Sequence, residues 1–313
     1  MRKNSPKKYK LRVKDFENIL EKPLSKTIKR EITQSKLEYN KLSLEQKDQC
    51  IKKIVQVLQN PNIIRAGKHR LEQWEKGWSE NLENFKKSNK VRDVLPYYFG
   101  KYPLLRFKQQ FIEATSNKFE YYSLAIIVDW LFEKYFLNID AIYEFGCGTG
   151  HHLLRLRQVN KEAKLYGLDW ASSSQKLIHK IANEKADKKL FANRFDFFTP
   201  DASFILDKDA AIYTVAALEQ IGNGYKPFIK YLIKNNPKVC VHVEPIAELL
   251  DPENNLLDYL SVEYFKKRNY LSGFLDYLKY LEKKGKIKIH LSKRTFIGSL
   301  FIEGYSVVVW SPT

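Results

Sequence analysis

Residues 141–150, Ala-Ile-Tyr-Glu-Phe-Gly-Cys-Gly-Thr-Gly, constrain the fold of this chain more than any other segment. A β-branched and aromatic run enters the decapeptide, Glu144 closes the run, and glycines follow at 146, 148 and 150. The run reads as a buried strand. A chain leaves such a strand in so tight a turn, its backbone pressed against a ligand, only where side chains are absent. Nineteen residues beyond Gly150 a second strand-like run, Lys164-Leu-Tyr-Gly-Leu168, ends in Asp169. A carboxylate at the tip of a neighbouring strand is placed to grip ribose hydroxyls. Together the two features point to a cofactor that contains a nucleoside.

The nicotinamide or flavin fingerprint needs Gly or Ala three residues after its second glycine. His151 stands there, so that pattern is not met. The segment Glu144-Phe-Gly-Cys-Gly-Thr-Gly150 instead resembles the first motif of the class I S-adenosylmethionine-dependent methyltransferases: an acid, any residue, then Gly-x-Gly-x-Gly. The resemblance covers residues 119–313 and implies an enzyme with a Rossmann-like α/β domain. Its seven-stranded sheet would be mostly parallel with an antiparallel last strand, and its cofactor S-adenosyl-L-methionine.

The resemblance also implies roles. The loop of Gly146, Cys147, Gly148 and Gly150 would approach the methionine and ribose portions, and Glu144 would reach the methionine amino group or cap local amides. Asp169 matches the ribose-binding acid, and Trp170 would lie on the adenine face or pack under the next helix. Asp196, followed by Phe197, matches the acid that accepts the adenine amino group, with Asp201 as rival. Thr214 and Val215 fall where the family contacts the sulfonium and begins its acceptor pocket.

The order of elements agrees with an α/β sheet. A helix over 119–137 precedes the first strand, a second starts at His151, and a third spans Ser173 to Glu184. Further strands are expected at 210–214 and 239–243, so strands alternate with helices as in a parallel sheet covered on both faces. Near the end, 286–292 and 305–310 read as strands with no helix between them. A parallel return needs a crossover of a dozen or more residues, so these two should pair antiparallel.

Residues 1–118 lie outside the resemblance and read as a mainly helical extension, with 1–10 disordered. Apolar positions recur at helical spacing at Phe16, Ile19 and Leu20, and again at Ile51, Ile54, Val55 and Leu58. Trp74 and Trp78 sit on a helix from Leu71 to Phe85. Residues 94–112 are dense in aromatics and bases, and Tyr97, Tyr98, Lys101 and Arg106 are candidates for a lid. The net charge is +18, and residues 1–120 carry most of it, with 28 Lys/Arg against 14 Asp/Glu. Such an excess suits an anionic partner, or reflects lysine-rich solvated helices. No apolar run approaches the roughly 20 residues of a membrane span. Three scattered cysteines follow no metal or disulfide spacing, so neither metal nor disulfide is expected, and the reading is a cytoplasmic protein. The oligomeric state is not readable from the sequence.

For catalysis the candidates are Glu219, His242 and Glu244, each at the open end of a strand, with His152 an outsider. Alternation in 239–243 allows His242 to point inward, whereas Glu244 before Pro245 should face the pocket. Residues 244–285 read as an insertion that selects the acceptor. Neither the Asn/Asp-Pro-Pro-Tyr motif of adenine amino methylases nor a cysteine placed as in cytosine C5 methylases is present. The expected reaction is methylation of a polar small molecule, with a saccharide hydroxyl as one case. RNA methylation through the basic front section and a non-catalytic adaptor are the alternatives.

Overall fold

The computed structural model describes residues 8–313. The disorder expected for residues 1–10 falls largely outside these, but Lys8–Lys10 form a strand (β1) paired to Glu38–Lys41 (β2). Between them lie helices α1 (Val13–Leu20) and α2 (Lys26–Gln34), followed by α3 (Leu44–Gln59) and α4 (Leu71–Ser88). Ser25 and Ser43 cap α2 and α3 by accepting the N–H groups of Ile28 and Gln46. A hairpin of β3 (Leu104–Phe107) and β4 (Gln110–Ala114) completes the front section. The mainly helical extension expected here thus carries four short strands as well.

The second half begins with α5 (Phe119–Tyr135), apolar on nearly every side and buried over most of its length, as a helix between two layers must be. Then β5 (Ala141–Phe145), α6 (His151–Val159), β6 (Lys164–Asp169), α7 (Ser172–Glu184) and β7 (Leu190–Arg194) follow. After these come β8 (Ala211–Val215), α8 (Lys226–Asn235), β9 (Val239–Glu244), α9 (Leu256–Arg268) and α10 (Phe274–Lys283). The chain closes with β10 (Ile287–Lys293), β11 (Ile297–Ser299) and β12 (Ser306–Pro312).

Seven strands form one sheet in the order β10-β12-β9-β8-β5-β6-β7. β5 pairs parallel with both β6 and β8, β6 with β7, and β8 with β9, while β12 is antiparallel to β9 and β10. This is the Rossmann-like seven-stranded sheet with an antiparallel last strand that the sequence led us to expect. The chain winds one way through β6 and β7 and the other way through β8 and β9, so the order reverses between β5 and β8. Open α/β sheets bind ligands outside the carboxyl ends of their strands at that point. β5 is buried along its whole length, as a central parallel strand covered on both faces should be.

The excursion between β10 and β12 does more than turn. Its β11 pairs antiparallel with β3 and completes a second sheet, β1-β2-β4-β3-β11. Residues Leu11, Phe16 and Ile28 of the front section share one apolar cluster with Ile142 and Val241 of the large sheet. The two sections therefore share a core. Residues 244–285, expected to be one insertion, divide physically: α10 is the crossover helix whose Phe274 and Leu278 pack with Trp310 on one sheet face, whereas α9 reaches the front section.

Arg106, a lid candidate by sequence, is instead a buried clamp. Its guanidinium donates to the carbonyls of Leu300, Leu257 and Phe301 and to Ser261 Oγ, at 2.6–2.9 Å. It thereby ties β3 to α9 and to the chain after β11. Each buried carbonyl left without a donor costs about 1–3 kcal/mol. Arg106→Ala is expected to lower unfolding free energy by about 3 kcal/mol or more in urea; a midpoint equal to the parent's would contradict the clamp.

Candidate active site

A cavity of about 430 Å³ opens at the carboxyl ends of β5, β6, β7 and β8. Glu144, Gly146, Cys147 and Gly148 line it, as do Asp169, Trp170, Asp196, Phe197 and Val215. Nine of the eleven cofactor candidates thus meet around one space. Gly150 and Thr214 do not. Gly150 caps α6 with φ +74° and is hemmed in by Ile178, and buried Thr214 bonds His242 Nδ1 at 2.9 Å.

The loop is fixed by its neighbours. Gly146 has φ +72°, and a Cβ there would stand 2.4 Å from the methyl of Ala217. The N–H groups of Gly146 and Cys147 both reach the carbonyl of Leu168, at 2.7 and 3.1 Å. Asp169 Oδ2 accepts the N–H of Gly148 and Oδ1 that of Ala171, each at 2.9 Å. A carboxylate offers about four lone-pair positions, so these amides leave capacity for a hydroxyl donor. Burial pushes the Asp169 carboxyl up to about 6. Glu144 is buried too, with Oε2 accepting Tyr213 OH at 3.0 Å; burial raises its pKa well above the carboxylate range.

Asp196 holds its own turn, accepting Phe198 N–H and Thr199 Oγ1–H at 2.8 Å. Trp170 and Phe198 lie 6.2 Å apart, their planes inclined by 33°, two apolar faces suited to a flat base.

Of the three strand-end catalytic candidates, Glu219 alone lines the cavity; the outsider His152 lines it too. His242 is fully buried, its ring 20° from parallel with Trp310, and burial depresses its pKa to about 3. It is a neutral core histidine outside the cavity. Glu244, expected to face the pocket, turns under it and accepts the N–H groups of Ala217, Leu218 and Glu219 at 3.0, 3.1 and 3.3 Å. It caps the loop that carries Glu219. Burial first, and the adjacent Glu244 second, push the Glu219 carboxyl up to about 8. His151 and His152 also line the cavity, with pKa values lowered by burial.

The sequence left other wall residues without a role. Trp74 and Trp78 of α4, stacked at 5.3 Å, roof the glycine loop, and Glu75 fixes α4 to the start of α7 by accepting Ser173 N–H and Ser172 Oγ–H. Their i, i+4 spacing was the signal for one shared face. Glu120, bonded by Tyr305 OH at 2.9 Å and raised by burial to about 7, also lines the cavity, as do Tyr98 and Lys101 of the segment before β3. Tyr97 does not line it; its hydroxyl meets Asn84 at the surface. Unpartnered buried atoms gather around this wall: Trp74 Nε1, His151 Nε2, His152 Nδ1 and Arg268 Nε all belong to cavity-lining residues. Buried polar groups ordinarily have partners, so this space fits a polar ligand. The retained lone pairs of Asp169 and the second oxygen of Glu144 fit a ribose and an ammonium respectively.

No protein-family model and no curated protein matches the chain. Among solved structures, it is similar to the N,N-8-amino-8-demethyl-D-riboflavin dimethyltransferase of Streptomyces davawensis, with 11% identity and a TM-score of 0.44 over 62% of this chain and 54% of that one. The magnesium protoporphyrin IX methyltransferase of Synechocystis PCC 6803, solved with SAH, gives 16% and 0.45 over 61% and 82%. The cyclase SpnF gives 12% and 0.44 over 60% and 80%. The chain thus spans about half of the first of these proteins. The likeness is one of fold.

Gly146→Ala should lower the thermal unfolding midpoint, because the new methyl meets Ala217 and a non-glycine residue in left-handed geometry costs about 1–2 kcal/mol. Adding Ala217→Gly should recover the steric part and leave the backbone part. A single variant that melts with the parent would contradict this packing.

Proposed function

We propose that this protein is an S-adenosylmethionine-dependent methyltransferase acting on the hydroxyl of a polar small molecule. The observation that carries the reading is the junction at the sheet's reversal point. There Gly148 N–H donates to Asp169 Oδ2, and the Glu144-x-Gly-x-Gly-x-Gly loop and that carboxylate face one cavity. Asp169 would hold the ribose hydroxyls, Glu144 the methionine amino group, and Trp170, Phe197 and Phe198 the adenine, with Asp196 at its rim. When bound, the cofactor supplies an electrophilic methyl carbon, so that an acceptor oxygen bonds to it as the carbon–sulfur bond breaks toward S-adenosylhomocysteine.

The chain's own residues have three tasks. Val215 and Ala216, at the end of β8, floor the space between loop and acceptor side and hold the reacting atoms in line; such alignment supplies much of the rate in a displacement. The Trp74 and Trp78 roof excludes water. Glu219 would take the hydroxyl proton, and its elevated pKa suits a base working near neutrality. His242 and Glu244 would act only through structure, Glu244 by setting the Glu219 loop.

The walls favour a small acceptor over an RNA strand: α4, the segment before β3 and α9 all contribute side chains to the cavity lining. A saccharide hydroxyl is one acceptor compatible with these walls. RNA as acceptor would show as binding of mixed RNA that falls steeply with salt.

Incubation with methyl-labelled cofactor and fractionated extract should place label in small metabolites; label in RNA or protein, or none, would overturn the reading. With the acceptor so found, kcat/KM should rise with pH up to about 8 and then level off, because Glu219 carries a proton below that value and is a base above it. Glu219→Gln should remove that limb and lower kcat about 100-fold or more. An unchanged profile would remove Glu219 from the chemistry.

A further inference from the structure

The interior arginines divide into three kinds. Arg155 pairs with Asp129 and Glu31, Arg157 with Asp187, and Arg294 with Asp258 and Glu303. Arg106 spends its donors on carbonyls and a hydroxyl. Arg70 and Arg268 differ: both line the cavity, and neither has a carboxylate within 4 Å among the described residues. Arg70 is only 6% exposed. Its donors end on two neutral amide oxygens, those of Gln73 and Gln220. Arg268 gives one bond, to Tyr270 OH at 3.2 Å, and its buried Nε has no partner.

The backbone brings the two arginines to one end of the cavity. Ala66 N–H donates to the carbonyl of Arg268 at 2.7 Å, and Asn269 Nδ2 donates to the carbonyl of Ala66 at 3.2 Å. The segment that leads into Arg70 is thus sewn to the C-terminal end of α9. Aromatic rings surround both charges. Arg70 lies 4.9 Å from the Trp74 ring, and Arg268 5.2 and 5.9 Å from those of Tyr270 and Tyr264. Trp74 Nε1 is buried without an acceptor. Indole and guanidinium are donors only, so every unmet demand at this end is for an acceptor. The charge of Glu219 reaches both arginines from the same wall but pairs with neither, and two like charges held together in a partly desolvated wall are costly unless an anion joins them.

We propose that this end of the cavity, between residue 70 and α9, anchors an anionic group on a flat aromatic molecule through Arg70 and Arg268, with Trp74, Tyr264 and Tyr270 as its walls. Calling that molecule the methyl acceptor rests on the methyltransferase reading; the anion site itself does not. Guanidinium is planar and forks onto carboxylate or phosphate, and the rings give the attached plane faces to lie on. Glu219 lines the same cavity and receives a bond from the Gln220 side chain whose oxygen meets Arg70. A hydroxyl on the anchored ring would thus have a base on the same wall.

The test is calorimetry on the full chain with salicylate, phenyl phosphate, uncharged salicylamide and inorganic phosphate, with S-adenosylhomocysteine titrated separately. Salicylate or phenyl phosphate should bind at least tenfold more tightly than salicylamide and than inorganic phosphate, and the tighter of the two identifies the anion. Arg268→Gln should weaken that binding tenfold or more and leave S-adenosylhomocysteine affinity within twofold; Arg70→Lys, which keeps the charge but not the fork, should weaken it less. Equal binding of salicylate and salicylamide, equal binding of inorganic phosphate, no binding by any probe, or an Arg268→Gln chain that binds like the parent would each overturn the site. Failure of S-adenosylhomocysteine alone to bind would sink the methyltransferase reading and leave the anion site standing.

Discussion

Everything at the open end of the sheet depends on one carboxylate. Asp169 ends β6, and the parallel register that sets Phe145 beside Leu168 brings its oxygens under the glycine loop. There it accepts Gly148 N–H on one oxygen and Ala171 N–H on the other. A charge-assisted bond to a backbone amide is stronger than a neutral one. It pins the turn, orients the start of α6, and fixes the carboxylate in the cavity wall. The loop could not approach so closely with side chains at its glycines, as the clash predicted between residue 146 and Ala217 makes plain.

From that junction the division of labour follows the sheet. Strand ends on the β6 and β7 side present Trp170, Asp196 and Phe197, while β8 and the turn after it present Val215, Ala217 and Glu219. The groups proposed to hold the nucleoside fall on one side of the reversal point and those proposed to face the acceptor on the other. The front section and α9 then close the second side. α4, whose Leu82 and Phe85 belong to the shared core, also shapes the chamber through Trp74 and Trp78, while Arg106 and the β3–β11 pairing hold the front section to α9 and the chain end.

Local signals made the cofactor side readable. The strand runs, the glycine spacing, the acid at 169 and the antiparallel tail are each written within a few residues, and hydrophobic period and turn chemistry suffice to read them. What escaped was set by distance. β3 finds its partner β11 nearly two hundred residues later, and no periodicity in 104–107 announces that. Arg106 sits in a basic, aromatic stretch that suggests a lid, but its four acceptors come from α9 and from the chain after β11, both remote in sequence. Glu244 and His242 differ by two positions along β9, so they share a sheet face. Yet one meets the amides after β8 and the other the ring of Trp310, which only packing decides. Arg70 closes the run Lys68-His-Arg70 and Arg268 the basic cluster Lys266-Lys-Arg268, which in sequence read like solvated helix charges; they matter because Ala66 joins their segments.

The most direct measurement is a calorimetric titration of the full chain with S-adenosylmethionine, S-adenosylhomocysteine and NAD, repeated on Asp169→Ala. One site per chain is expected for the two sulfur nucleosides and none for NAD, with loss of most of the affinity in the variant even where the chain remains folded by circular dichroism. A chain that ignores both sulfur nucleosides, that takes NAD instead, or whose affinity survives without the Asp169 carboxylate would contradict this expectation.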